Sequence, residues 1–371
     1  MLSSFLGLRL VLWAGPTVPI PPPPGTLDAL QSVEVTNDGN GEDGFQITFA
    51  LKKGLLDYEM LSAGTFDPFR RVWIGAVMGV VPELLIDGIV THHQIAPSGE
   101  PGQSTLTVTG RSVSVMMDLE EKNAKFENQP DFLIATRIIA EYAQYGLIPD
   151  VRPTTDIPIM LDRIPRQAET DLGFLRRMAE RNGFVFYIEP VTFGVNRAYF
   201  GPPSRIGLPQ PALTMNMGHD TNLTSLRFNN DAMAPVGTRG SFVEPFTKMA
   251  IPIPALPSLR IPPLSSSPAS ARRTALVRDS ANRSPAQAAL AGLSRSESAP
   301  DPVEGTGEVD AVRYGSVLRA RRLVGVRGAG VGYDGFYYVK RVTHRIEIGR
   351  YTQQFTLSRE GTGASVPAVL P

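Results

Sequence analysis

The sequence predicts a β-rich α+β protein, with two related β-barrel domains separated by an α/β insert. Three observations lead there. Short alternating segments recur at even spacing near both ends of the 371-residue chain. Between them the apolar period changes from two to between three and four. The two β regions also end alike, each with a Val-Thr-His followed by a turn and a strand, "TLTVTGR" (105–111) in one and "QFTLSR" (354–359) in the other.

The first β region opens with "LRLVLW" at 8–13. Arg9 interrupts this run, no Lys or Arg precedes it, and a Pro-rich connection follows in place of a small-residue cleavage site, so it reads as a strand and not as a signal peptide. "LQSVEVTND" (30–38), "FQITFALKKG" (45–54), "RRVWIGAVMG" (70–79), "LLIDGIVTHHQIA" (84–96) and "STLTVTGRSV" (104–113) then alternate, with turns such as "NDGNGEDG" and "PSGEPG" between them. Evenly spaced strands joined by polar turns predict a barrel or sandwich. The high Gly (35) and Pro (33) content agrees with many turns.

The insert begins after residue 115. Leu133, Ile134, Ile138, Ile139 and Tyr142 recur every three or four residues, with Asp131 placed to cap the helix and Gly146 to stop it. The stretch "ETDLGFLRRMAERNGFVFYIE" (169–189) repeats the pattern. Leu172, Leu175, Met178 and Ala179 form one stripe, and Arg176, Arg177, Glu180 and Arg181 the opposite face. Glu180 can pair back to Arg176, a contribution of about 0.3–0.5 kcal/mol. Gly183 suits a left-handed helix end, and "FVFYIE" is a buried strand.

Strands resume at 223–231 and 237–246. The Pro- and Ser-rich stretch 247–303 reads as an extended, mobile loop holding one short helix at 284–296, where Ser284 caps and Pro285 occupies the first turn. The last strands lie within 307–360, and 363–371 is a frayed tail. The expected domains are thus 1–115, 116–200, and a second barrel from 201–246 and 304–362.

The Val90-Thr91-His92 and Val342-Thr343-His344 segments carry the repeat. Hairpins also resemble one another through shared Val, Thr and Gly, and that alternative stands beside duplication. If the barrels are duplicated, three copies of the chain present six similar positions around one axis, and closed rings are the usual oligomeric solution.

Chemistry is sparse. The chain has no cysteine, which removes disulfides, thiolate metal sites and cysteine nucleophiles. Lys plus Arg balance Asp plus Glu at 36 each, which argues against bulk electrostatic binding of nucleic acid. His92 and His93 are adjacent on a strand and point to opposite faces, so they do not share a metal. The glycine-rich 325–335 stretch has Tyr333 where a dinucleotide fingerprint needs glycine, and no helix follows. Asp156 with Asp162, and Glu120 with Glu121, read as solvated acids. Arg70-Arg71, Arg176-Arg177 and Arg319 with Arg321-Arg322 read as solvated faces or inter-subunit ion pairs.

Residues 169–189 and the closing 315–360 segment resemble the phage late control gene D proteins and the VgrG hub region. The resemblance spans roughly residues 7–360, with its motifs in the same order. It implies a non-enzymatic, homotrimeric baseplate hub in a contractile phage tail or phage-tail-like particle, made in the bacterial cytoplasm. Such a hub adapts a hexameric inner tube, or a tube-initiator protein, to a trimeric spike and meets other baseplate proteins. Nucleic acid would enter only as cargo in the channel. No cofactor, metal or membrane span is implied. The chain ends after the second barrel, so the spike is expected to be a separate protein. Arg176, Arg177, Glu180, Gly183, His92 and His344 are the candidate structural and assembly residues. A tail-associated cell-wall hydrolase and a β-rich glycan-binding adhesin are the competing readings.

Overall fold

The computed structural model describes residues 8–52, 58–79, 81–100, 102–154, 164–243, 249–253, 262–277, 299–366 and 369. The first six strands are β1 (Leu8–Gly15), β2 (Leu30–Asp38), β3 (Gly44–Ala50), β4 (Arg71–Met78), β5 (Pro82–Ala96) and β6 (Thr105–Ser112). A one-turn helix α1 (Glu59–Ser62) precedes β4. The insert holds β7 (Glu121–Lys125), α2 (Asp131–Glu141), β8 (Leu147–Val151), β9 (Arg166–Thr170), α3 (Asp171–Arg181), β10 (Val185–Thr192) and β11 (Val195–Gly201). Beyond it lie β12 (Gln210–Thr214), β13 (Leu223–Asn230), β14 (Val236–Val243), β15 (Ala250–Ile253), β16 (Ser265–Pro268) and β17 (Arg273–Val277). The chain closes with β18 (Val303–Asp310), α4 (Ala311–Tyr314), β19 (Leu323–Arg327), β20 (Gly335–Glu347), β21 (Arg350–Arg359) and β22 (Gly361–Ala364).

Twelve strands form one hydrogen-bonded sheet. Its N-terminal half runs β1-β4-β5-β6-β3-β2, and its C-terminal half runs β12-β19-β20-β21-β18-β13. Numbered from the start of each half, ignoring the strands between β13 and β18, both orders are 1-4-5-6-3-2. Each half packs a core, and Ala311, Val317, Ile346 and Tyr351 from the C-terminal half complete the N-terminal one. Leu12, Val35, Ile47, Ile74, Ile86 and Val108 bring all six N-terminal strands into one apolar cluster. Leu213, Leu223, Val309, Val326, Val339 and Leu357 do the same for the C-terminal six. One ladder differs: β1 is antiparallel to β4, whereas β12 is parallel to β19.

The ladders match in detail. The β2–β3 register slips between Leu30 and Ser32, and the β13–β18 register slips between Leu223 and Ser225. The strands themselves read "LQSVEVTND" and "LTSLRFNND", identical at Leu30/Leu223, Ser32/Ser225, Asn37/Asn230 and Asp38/Asp231. A second bulge sits at Thr91 in the β5–β6 hairpin and at Lys340 in the β20–β21 hairpin. His92 pairs with Thr109, and its ladder equivalent Arg341 pairs with Thr356. The Val-Thr-His match is therefore three residues out of register: His344 corresponds to Ile95, not to His92.

Close backbone approach explains two glycines in the N-terminal half. A Cβ at Gly110 would strike the Phe45 ring and the Ile89 carbonyl, and one at Gly88 would lie 2.6 Å from the same ring. Gly110→Ala is expected to cost about 1–3 kcal/mol through overpacking. Urea denaturation checks this, and Phe45→Leu in the same background should recover part of the loss.

The helical insert has a core of its own, with Ile134, Ile138, Leu172, Phe174, Leu175, Met178, Phe186 and Phe200 buried together. Each large side chain there contributes about 1.5–3 kcal/mol. The helix α3 starts where Thr170 Oγ1 accepts from Gly173 N–H, with Asp171 in the first turn. It stops at Asn182-Gly183. Phe184 N–H donates to Ala179 O and Gly183 N–H to Glu180 O, with Gly183 at φ 68°. That pattern closes the helix and turns the chain directly into β10.

The segment read as an extended loop differs from expectation. Its described parts hold β15 and β17, which flank β14, and β16, which pairs with β22. Proline hides these strands because it lowers strand propensity, yet it is tolerated on short edge strands such as β16, which ends at Pro268. The β22 strand also orders residues 361–364 at the start of the expected tail region. The helix expected at 284–296, and Asp156 and Asp162, lie outside the described residues.

Candidate functional site: ionic seams between the units

Asp131 does not cap α2. It is the first helical residue after Pro130, and its buried carboxylate accepts from Arg181 Nη2 at 2.5 Å and Asn182 Nδ2 at 2.7 Å, locking the end of α3 onto the start of α2. At the other end of α3, Asp171 accepts from Lys122 Nζ (2.6 Å), Tyr142 Oη (2.7 Å) and Gln167 Nε2 (2.7 Å). The hydrogen bond to Asp171 raises the Lys122 ammonium above its ordinary range, so it stays charged.

The first seam joins the N-terminal half to the insert. Arg71 on β4 grips Asp87 on β5 with two parallel bonds, Nε to Oδ1 at 2.8 Å and Nη2 to Oδ2 at 2.6 Å. Asn196 on β11 donates from Nδ2 to the same Oδ2 at 2.7 Å. Both Arg71 and Asn196 also reach Tyr145 O. The side chains of Arg71 and Asp87 are nearly inaccessible to solvent, and so is Asn196. Beside them Trp13, Trp73 and Phe193 pack with ring centroids 5.2–5.9 Å apart.

The second seam joins all three parts. Arg321 lies just before β19, at a left-handed φ of 65°. Its guanidinium donates to Asp43 Oδ1 at 2.5 Å and to Asp38 O, and it stacks 4.2 Å over the Tyr187 ring of β10. Arg341 Nε donates to Asp38 Oδ2 at 2.7 Å. Arg322 and Arg197 share Glu189 at 2.9 and 2.5 Å. Burial disfavours the Glu189 charge, but the two arginines outweigh it and hold the carboxyl below its usual range. Arg319 donates to Leu84 O at 2.6 Å and Glu83 Oε2 at 2.9 Å on β5. Three arginines within four positions thus reach three different places: β5, the β2–β3 turn and β10.

The expected solvated faces hold for Arg177 and Arg322, whose side chains are half exposed, and are corrected for two other arginines. Arg71 and Arg321 are buried, and their partners lie within the same chain. No local signal marks them, because the partner carboxylate of Arg321 is 278 residues away. Of the candidate residues, Arg176 reaches from α3 to Gly41 O at 3.0 Å, joining the insert to the β2–β3 turn. Arg177 is exposed and pairs with Glu169 at 2.6 Å, and Glu180 lies on the exposed face. Gly183 ends α3. His92 is exposed on β5 and His344 is fully buried on β20, so the structure does not bring them together.

His344 Nδ1 meets Tyr351 Oη at 2.9 Å, while Nε2 has no partner. Burial, with the positive Arg319 second, pushes its pKa down from 6.5 to about 3. The unfolded chain therefore takes up a proton that the fold refuses between pH 6.5 and 3, and stability falls as pH drops through that window. Relative to the wild type, His344→Gln is expected to flatten this acid limb by up to about 1.4 kcal/mol per pH unit. Urea midpoints at pH 7, 5.5 and 4 measure it.

Among the described residues no cluster of three or more His, Asp or Glu is placed to hold a metal ion, and no helix is long and apolar enough to cross a membrane. The charged groups of the seams are taken up with one another, an arrangement that fixes orientation between units.

No family model and no curated protein matches the chain in sequence. Solved structures do match. A tail protein from Neisseria meningitidis aligns over 96% of this chain and 98% of its own, at 13% identity and a TM-score of 0.62. The 43 kDa tail protein of a Shewanella oneidensis prophage aligns over 95% and 98%, at 14% identity and a TM-score of 0.65. An Escherichia coli type VI secretion component, described as structurally similar to bacteriophage T4 tail proteins, aligns over 92% and 77% at 14% identity and a TM-score of 0.55. The resemblance read from residues 169–189 and 315–360 is thus met by a fold shared, over nearly the whole chain, with phage tail proteins and a type VI secretion component.

Proposed function

We propose that this chain is a structural hub of a contractile phage tail or phage-tail-like injection particle. Three copies form a ring of six similar β-barrels, which seats a hexameric inner tube on one side and a trimeric spike on the other and encloses part of the central channel. The observation that carries this reading is the duplicated strand order, 1-4-5-6-3-2 in each half, because one chain then offers two near-equivalent surfaces. The fold-level similarity to tail proteins supports it. The proposed domains are a barrel over 1–115, an insert over 116–200, and a second barrel from 201–246 and 304–362, although β14, within the first of those two pieces, pairs with β15 and β17 and not with the barrel strands.

The role is mechanical and not catalytic. Thrust delivered through a tube reaches both barrels together only if they do not rotate against each other. The Arg321 and Arg71 seams, with the helical insert as a buttress, hold them. Particles purified from a producing cell with an epitope-tagged copy of this chain test the proposal by immunogold electron microscopy. Label at the junction of tube and spike is expected. Label on the sheath or fibres, or none on the particle, would refute it.

A further inference from the structure

Within one chain the two halves are joined by strand pairing: β2 runs antiparallel to the distal part of β20, from Ser32↔Glu347 to Asp38↔Arg341. Side chains reinforce this joint. Thr36 Oγ1 lies 3.1 Å from Thr343 Oγ1, Asp38 pairs with Arg341 at 2.7 Å, and Glu34 with Arg345 at 3.1 Å. The duplication supplies the same two edges a second time. The counterpart of β2 is β13, and the counterpart of distal β20 is the stretch His92–Ala96 of β5, beyond the matching bulge.

Among the described residues neither edge carries a strand. β13 pairs only with β18. On β5, the pairing with β4 ends at Ile89, Val90 bonds to Arg70 and Phe69, and His92–Ala96 pair only with β6. Unpaired strand edges of this kind are templates for another chain.

We propose that β13 of one copy pairs antiparallel with His92–Ala96 of β5 in a second copy, repeating between chains the β2–β20 joint found within one. Transferring the register residue by residue sets Asp231 opposite His92, where Asp38 meets Arg341. Asn229 falls opposite Gln94, where Thr36 meets Thr343, so two hydrogen-bonding amides replace two hydroxyls. Phe228 falls opposite Ile95, where Val35 meets His344, and Ile95 is 43% exposed in the single chain. The transferred positions thus set a carboxylate opposite an imidazole, two amides opposite each other and two apolar side chains opposite each other, while the Glu34–Arg345 pair has no counterpart because Arg227 falls opposite Ala96. The contact is head-to-tail, and each copy offers one of each edge. Repeated from copy to copy, the joint alternates N-terminal and C-terminal halves, and in the three-copy hub its rotation closes the ring. This assignment rests on the hub reading and names the surface that builds the hub.

The chain has no cysteine, so a pair can be introduced without background. Gln94→Cys with Asn229→Cys replaces two exposed residues, and directly opposed positions fall within disulfide reach. Mild oxidation followed by non-reducing gel electrophoresis is expected to link most chains into covalent dimers and trimers. Either single variant should give none, and Gln94→Cys with Arg227→Cys, two residues out of register, should link at least about ten-fold more slowly. A stable trimer by light scattering that the matched pair fails to cross-link would overturn the strand joint and leave the hub reading standing. A monomer at all concentrations without cross-links would overturn both. An open ladder longer than three chains would support the joint and contradict the three-copy ring.

Discussion

Replacing Arg321 with methionine is expected to lower folding stability by about 3–5 kcal/mol, the loss typical when one partner of a buried pair is removed. Asp43 would keep its carboxylate out of water, with Asp38 N–H as a remaining donor at 2.8 Å. The Asp38 carbonyl would lose both guanidinium bonds, and Tyr187 the cation above its ring. Arg321→Lys should recover little, since an ammonium cannot reproduce the fork or the planar stack. Methionine at both Arg321 and Asp43 should recover more than either single change, because no lone charge remains buried. Chemical denaturation of the four proteins measures the coupling. Equal and additive losses would mean that the pair does not act as a unit.

Asp87→Ala is expected to be comparably severe, again about 3–5 kcal/mol. It strands the Arg71 guanidinium in a site only 4% exposed and removes an acceptor from Asn196, whose Oδ1 already lacks a partner. The damage should fall on the joint with the insert. Limited proteolysis of the variant is expected to cut within residues 116–200 well before the six-stranded halves. Simultaneous cleavage throughout would contradict a local seam.

What could be read in the chain followed the range of the interactions. The α3 helix and its stop are set by residues within a few positions: Thr170 at the cap, an apolar stripe three and four apart, and Asn182-Gly183 at the end. The strands of the N-terminal half follow from alternation in the same way. The seams do not, because Arg71 and Arg321 look like any surface arginine until the fold brings Asp87 and Asp43 to them. The repeat was present in a better form than the Val-Thr-His match. "LQSVEVTND" and "LTSLRFNND" share four of nine residues and the same bulge, but Glu34 against Arg227 and Val35 against Phe228 mask the likeness. Bulges at Thr91 and Lys340 shift the pairing by a residue, and no property of those side chains announces it.

In the proposed hub the duplicated halves let three chains close into one ring. Sedimentation equilibrium of the purified chain, at micromolar concentration and below, tests it most directly. The expected result is a single species of three times the 40.2 kDa chain mass, held by an interface well above about 2,000 Å² and so persistent on dilution. A monodisperse, folded species of one chain mass over the same range would contradict it.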